Sequence, residues 1–391
     1  MNGNIYKNTI TTSGVNGINI STSTKITGNI KENSITDSKK TGINLFDSSV
    51  LTGNIDTNKI KNSDNNGICV SDSSTLNGDI IGNTITSSDK TGIQVASKST
   101  VSGSIKSNTA KTNGLNGISV ISSSSVGKDI ASNTITSNKK NGLNLDKATI
   151  GGSIKGNKIS TSTYNGIGIT NKSKVKGNIE KNKVDASKKT GIQVDKKSVV
   201  SKQIKSNTVT NSTANGICVL GASTVKKGIV SNTVKKAKKF GIYFVDKAVI
   251  GGNVEGNKIT SCNTAIVTSK DSSVAIRINT LSKNKNNYSR IVSTSLLVKS
   301  VSKPTLKSVS KKGNTINVKW NKAKKANGYL VEISTTKDFS KIYKSYSTSS
   351  TSAAIKKVAK GKTYYVRVSA YRGAGKARIY SGYSKVKKIK L

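Results

Sequence analysis

The apolar positions of residues 1–285 are sparse, and they return at a fixed interval. A glycine followed by isoleucine or leucine stands at Gly17-Ile18, Gly42-Ile43, Gly67-Ile68, Gly92-Ile93, Gly117-Ile118, Gly142-Leu143, Gly166-Ile167, Gly191-Ile192, Gly216-Ile217 and Gly241-Ile242, with Ala265-Ile266 as a degraded copy. The interval is 25 residues, with two of 24. Further apolar columns run in phase. One holds Ile30, Ile55, Ile80, Ile105, Ile130 and Ile154; another Ile26, Leu51, Leu76, Val101, Val126 and Ile150; a third Ile20, Leu45, Val70, Val95, Val120 and Leu145. An asparagine keeps the same phase at Asn8, Asn33, Asn58, Asn83, Asn108, Asn133, Asn157, Asn182, Asn207, Asn232, Asn257 and Asn279. Each repeat thus holds short β-branched runs with alternating sides, parted by Ser, Thr, Asn, Lys and Gly, which predicts strand, turn, strand, turn, strand. No segment keeps a 3.6-residue period long enough for a helix. One such coil cannot bury its own apolar face, so the coils must stack, like residue over like. At a strand spacing of about 4.8 Å, eleven coils make a stack on the order of 50 Å long.

This pattern resembles the right-handed parallel β-helix repeats of the pectin-lyase-like superfamily. Handedness is implied by that resemblance alone. The resemblance also implies that Asn33, Asn58, Asn83, Asn108, Asn133, Asn157, Asn182, Asn207, Asn232 and Asn257 form a stacked ladder. In such a ladder side-chain amides bond to one another and to turn backbone, satisfying buried polar groups.

The repeat fails near residues 283–302, and 286–302 is expected to be a cap or linker. Pro304, the only proline, opens a different pattern of short strands over 303–391: NTINVKW, GYLVEIS, IYKSYS, YYVRVSAYR and SKVKKIKL. That predicts an antiparallel sandwich. It resembles a bacterial fibronectin type III domain at Pro304, Trp320, Gly328-Tyr329, Gly361-Lys362-Thr363-Tyr364, Val366 and Val368. The resemblance implies a tyrosine corner at Tyr364 and a spacing or attaching role. The expected fold class is all-β: a parallel β-helix of about 11 coils over 1–285, then a β-sandwich.

Composition changes the picture in one respect. Lys and Arg number 65 against 18 Asp and Glu, a net charge of +47, carried more densely after residue 300 than before it. Such a field attracts polyanions. A hydrophobic fraction of 33% with 4% aromatics would by itself suggest disorder; the periodicity overrules it. Histidine is absent, which removes the commonest general base and metal ligand. Cys69, Cys218 and Cys262 are too few for a disulfide framework. No apolar run reaches transmembrane length. The sequence opens in mid-repeat without the features of a signal peptide, so we expect a fragment or a misplaced start, with a secretion signal upstream.

The resemblance implies two chemistries, a polyuronate lyase and an inverting pectin hydrolase. The outward position of the doublet strand reads Asn19, Asn44, Cys69, Gln94, Ser119, Asn144, Gly168, Gln193, Cys218 and Tyr243. None is an acid–base group at neutral pH beyond weakly acidic thiols, and general acid–base work needs one in reach. No catalytic residue is assigned. Asp47 and Asp72, in equivalent positions one coil apart, are the nearest thing to paired carboxylates or a calcium site, and a solvated turn edge explains them better. No metal or cofactor is expected.

Lysines carry the positive signal. Lys59, Lys158, Lys183 and Lys258 follow the ladder asparagine on a face shared with threonine, and Lys139-Lys140 and Lys188-Lys189 precede the doublet. In equivalent positions these are expected to form rows of positive charge, like over like. The expected partner is an acidic polysaccharide or an anionic cell-wall polymer. Nucleic acid is disfavoured, because the helix is poor in the arginine and aromatics that read bases. A monomeric, extracellular or cell-surface, non-catalytic binding protein is expected; the alternative is a lyase or glycoside hydrolase of the superfamily.

Overall fold

The computed structural model describes residues 2–269, 274–289, 297–298, 301–372 and 379–391. The chain divides into two compact units, residues 1–297 and 298–391.

In the first unit every coil lies in register on the next. One coil runs Ile30–Lys31, Ser34–Thr36, Ile43–Leu45 and Val50–Thr52. The corresponding strands of all coils pair in parallel into four sheets of 13, 12, 12 and 10 strands, here called first to fourth in that order along the coil. Ile30 pairs with Ile55, Ile60 with Ile85, Ile68 with Ile93, and Leu51 with Leu76. The coil therefore has four strands, not the three that the sequence suggested. The extra one comes from splitting a polar-rich stretch at a tight corner, where Gly28 and Gly53 hold φ of +138° and +147°. The first sheet continues to Leu297–Val298 and the third to Asn286–Tyr288, so helix strands run past residue 285. Much of the 286–302 segment lies outside the described residues.

The inward columns are isoleucine, leucine and valine, nearly all fully buried. Each such side chain contributes roughly 1.5–3 kcal/mol relative to exposure. Corners are turned by residues in the left-handed region, such as Glu32 at φ 55° and Asp47-Ser48 at 56° and 58°. That conformation costs about 1–2 kcal/mol for a non-glycine residue. It aims the amide at the next coil: Ser48 N donates to Asp72 O at 2.8 Å.

Side-chain ladders satisfy the remaining corner amides. Asn33 Nδ2 and backbone N both donate to Asn58 Oδ1, at 2.9 and 3.0 Å, and the pattern repeats up the stack to Asn279. A second ladder runs through serines, with Ser49 N donating to Ser74 Oγ and Ser74 N to Ser99 Oγ. A third runs the opposite way, with Asn54 N donating to Asn29 Oδ1 and Asp79 N to Asn54 Oδ1. A fourth uses Asn66 and Asn165, whose Oδ1 atoms accept from Thr91 N and Thr190 N.

The second unit is built of two antiparallel sheets and is consistent with a β-sandwich. One holds Leu306–Lys312, Thr315–Trp320 and Ser352–Ile355; the other centres on Gly328–Ser334 and Thr363–Arg372. Trp320, Tyr329 and Tyr364 are buried in its core. The Tyr364 hydroxyl donates to Ala359 O at 3.2 Å. The strands Leu306–Lys312 and Ser352–Ile355 lie outside the runs the sequence marks, the first because it is rich in Lys and Ser and the second because it is short and holds two alanines.

Candidate functional site

Outward side chains decide what the helix can do, and the four faces differ. On the third sheet the outward positions are amides, small residues and thiols. Cys69 and Cys218 lie buried there. Burial pushes their thiols up, to about 11 and about 12. They stay protonated at neutral pH and are poor nucleophiles. Among the described residues, Asp146, ending the strand Leu143–Asp146, and Tyr243 are the other titratable groups on this face.

The first sheet is where carboxylates meet lysines. Lys106 Nζ lies 2.6 Å from Asp79, Lys155 2.6 Å from Asp129, and Lys205 3.3 Å from Glu180. Each pair ties one coil to the next. Burial alone would raise the Asp79 and Asp129 carboxyls. Hydrogen bonds and charge from Lys106 and Lys155, with the Ser104 and Ser153 amides, outweigh it and hold both below the usual carboxylate range. A depressed carboxyl stabilises the fold fully above its unfolded pKa of about 3.9 and loses that contribution as pH falls through its folded value. The double variant Asp79→Asn, Asp129→Asn should therefore be less stable than wild type in urea at pH 7. The gap should shrink toward nothing as acid protonates the wild-type pair. A gap that grew on acidification would contradict the assignment.

The second sheet presents the threonine and lysine face. Lys59, Lys158, Lys183 and Lys258 are all exposed on it. Only Lys158 and Lys183 are neighbours. Lys59 lies between Ser34 and Thr84, and Lys258 between Thr233 and Thr280. The four are one column but not one cluster.

The turn between the second and third sheets is the more ordered array. Its backbone forms a continuous ladder: Lys140 N donates to Leu115 O, Tyr164 N to Lys140 O, Lys189 N to Tyr164 O, Ala214 N to Lys189 O, and Lys239 N to Ala214 O. The column therefore reads Val15, Lys40, Asn65, Lys90, Leu115, Lys140, Tyr164, Lys189, Ala214, Lys239 and Thr264. Lysine occupies every second coil. Here the expectation of lysines stacked one coil apart is corrected: Lys139-Lys140 and Lys188-Lys189 are both exposed but separated by the Thr163-Tyr164 coil. The spacing, about 10 Å at two strand intervals, relieves the repulsion that adjacent ammonium groups would suffer. Lys189 Nζ sits 4.0 Å above the ring of Tyr164, which is 42% exposed. The sequence signal for the alternation was present, but grouping lysines as before or after the doublet hides which coil each belongs to.

A second basic array lies in the turn from the third sheet to the fourth. There Lys147, Lys172, Lys196, Lys197 and Lys247 surround a concavity of about 630 Å³ that Asp246 also lines. Asp47 and Asp72 occupy the equivalent turn nearer the N-terminus, both exposed and both in the left-handed region. Asp72 accepts from Ser71 Oγ and lines a smaller cleft beside Cys69; Asp47 does not line it. Among the described residues no three of His, Cys, Asp and Glu come together as a metal site, and no helix is long and apolar enough to cross a membrane.

Charge is also graded along the stack. Residues 1–138 carry 12 lysines against 9 carboxylates, whereas residues 139–285 carry 28 lysines and arginines against 7.

A family model described as a right handed beta helix region matches residues 1–150 and 147–302. No curated protein matches the chain closely enough to count as a relative. Among solved structures, the A-module of the Azotobacter vinelandii mannuronan C-5 epimerase AlgE4 is 11% identical, with a TM-score of 0.45, covering 75% of this chain and 88% of its own. The tailspike protein gp49 of Acinetobacter baumannii bacteriophage Fri1, a capsular polysaccharide depolymerase, is 10% identical, with a TM-score of 0.38, covering 97% of this chain and 79% of its own. Neither likeness bears on what this chain binds.

Proposed function

The chain belongs to the right-handed β-helix family, and from that premise we propose that it is a non-catalytic, extracellular or cell-surface module. Its C-terminal coils would hold an anionic polysaccharide or cell-wall polymer. One observation carries the reading. The lysines and arginine of residues 139–285 outnumber the carboxylates of the same stretch fourfold, and although Lys155 and Lys205 are held in ion pairs, many of the others stand exposed on turns and on the second sheet. Lys139, Lys140, Lys158, Lys183, Lys188 and Lys189 are the proposed contacts, with Lys258 at the margin of the same face; Lys59 stands in the N-terminal coils, outside this set. Lysine is a point charge that tracks acidic groups without demanding a planar partner, and threonine hydroxyls beside it suit a hydrated glycan. The C-terminal unit is taken as a fibronectin type III-like spacer, which the Tyr364 to Ala359 bond supports.

The test is retention of the full chain on immobilised polygalacturonate and on DNA across a salt series. Polyanion binding should weaken with salt, and retention on the glycan should outlast that on DNA. Neutralising Lys139, Lys140, Lys188 and Lys189 to Gln should weaken glycan binding at least tenfold. Neutralising Lys31, Lys61, Lys98 and Lys111 should change it less than threefold. Equal loss from both sets, or equal salt-abolished binding to every polyanion, would remove the proposal. Release of unsaturated product, seen by ultraviolet absorbance, would replace it with a lyase.

A further inference from the structure

Resting on that reading, we infer that the preferred glycan carries its negative charge on every second sugar, and that it lies along the turn between the second and third sheets, parallel to the stack. In that turn Lys140, Lys189 and Lys239 alternate with Leu115, Tyr164 and Ala214, coil by coil. The register is fixed by backbone hydrogen bonds between successive coils, so the alternation is a spatial fact and not only a sequence one.

One pyranose ring of an extended chain is about as long as one coil is tall. A polymer laid along this column therefore presents one sugar to each coil. A glycan with a carboxylate on every sugar would set alternate carboxylates over the coils of Leu115, Tyr164 and Ala214, whose turns carry no lysine of their own. A glycan with alternating acidic and neutral sugars meets no such mismatch. Its acidic sugars lie over the lysine coils and its neutral sugars over the apolar ones. Tyr164, exposed on the coil between those of Lys140 and Lys189, suits a neutral ring best: Lys189 covers one face of it, and a sugar's C–H surface would pack against the other.

The next face over follows the same two-coil period. Its outward positions are long on the lysine coils, at Asn144 and Gln193, and short on the intervening ones, at Gly168 and Cys218. The coil pair, about 50 residues, is thus the true repeat of this surface, and its length along the stack matches a disaccharide rather than a single sugar.

The experiment exchanges the dipeptides Lys188-Lys189 and Thr213-Ala214 in the full chain, by Lys188→Thr, Lys189→Ala, Thr213→Lys and Ala214→Lys. Composition and net charge are unchanged, while one lysine pair moves by one coil. All four positions are exposed or half-buried turn residues, and thermal melting checks that the fold is kept. The probes are hyaluronan, with a carboxylate on every second sugar, and polygalacturonate, with one on every sugar. The exchange should weaken hyaluronan binding at least fivefold and leave polygalacturonate binding within twofold. Equal effects on both polymers, or none on either, overturn the periodicity while leaving a glycan-binding role standing. Failure of the unaltered chain to bind either polymer overturns both.

Discussion

Gly117→Ala should destabilise the helix unit by about 3 kcal/mol, the upper end of what overpacking costs. The reason is contact rather than conformation, since Gly117 is not among the residues at positive φ. A Cβ there would overlap Ile135 Cγ2 of the next coil. It would also lie 2.8 Å from Gly142 O and 2.9 Å from Asn138 Nδ2. The same overlap recurs up the column, with Ile159 Cγ2 beside Gly142 and Val184 Cγ1 beside Gly166. The doublet glycine is therefore a packing residue, and stacked coils can approach only where its side chain is missing. Because neighbouring coils stabilise one another, a wedge in the middle should lower the urea midpoint and broaden the transition. Gly14→Ala is the control: nothing lies within 4 Å of its added Cβ, and it should cost under about 0.5 kcal/mol. Equal effects at the two sites would contradict the packing account.

Asn157→Leu should cost about 4 kcal/mol. Leucine fills much the same volume, so the loss is almost wholly of hydrogen bonds. Asn157 Oδ1 accepts from Asn133 N at 3.0 Å and from Asn133 Nδ2 at 2.9 Å. Its own Nδ2 donates to Asn182 Oδ1 at 2.9 Å and to Ile130 O at 3.0 Å. Removing it strands donors above and acceptors below in a corner without water access, at roughly 1–3 kcal/mol for each group left unsatisfied. Exposed Asn77 is the comparison, and Asn77→Leu should change stability by under about 0.5 kcal/mol. Calorimetry or urea unfolding of both variants decides it. A small effect at Asn157 would mean that water or a neighbouring amide can replace the ladder.

How far the sequence could be followed depends on which residues repeat by type. Isoleucine columns and the ladder asparagine are the same residue coil after coil, because a buried column tolerates little else, and both were legible. The other ladders use any short oxygen acceptor, passing from Asn54 to Asp79 to Ser104 in successive coils, so no single letter marks them. The fourth strand is hidden in the sequence because its strands are only two or three residues long, and its Ile26 column stands so close to the Ile30 column across the corner that the two read as one run. Lysines were legible as a class but not as a pattern. Their meaning lies in which coil they occupy, and that needs the register. Asp47 and Asp72 were legible as a stacked pair, and their turn geometry follows from the short polar side chains that tolerate the left-handed region.

The proposed seat of the anionic partner is the C-terminal coils. Lysine acetylation of the full chain, mapped by mass spectrometry with and without bound glycan, tests it most directly. Lys139, Lys140, Lys188, Lys189, Lys238 and Lys239 should be protected at least threefold, while Lys31, Lys61, Lys98 and Lys111 keep their unbound rates. Protection spread evenly over both sets, or confined to the second, would contradict it.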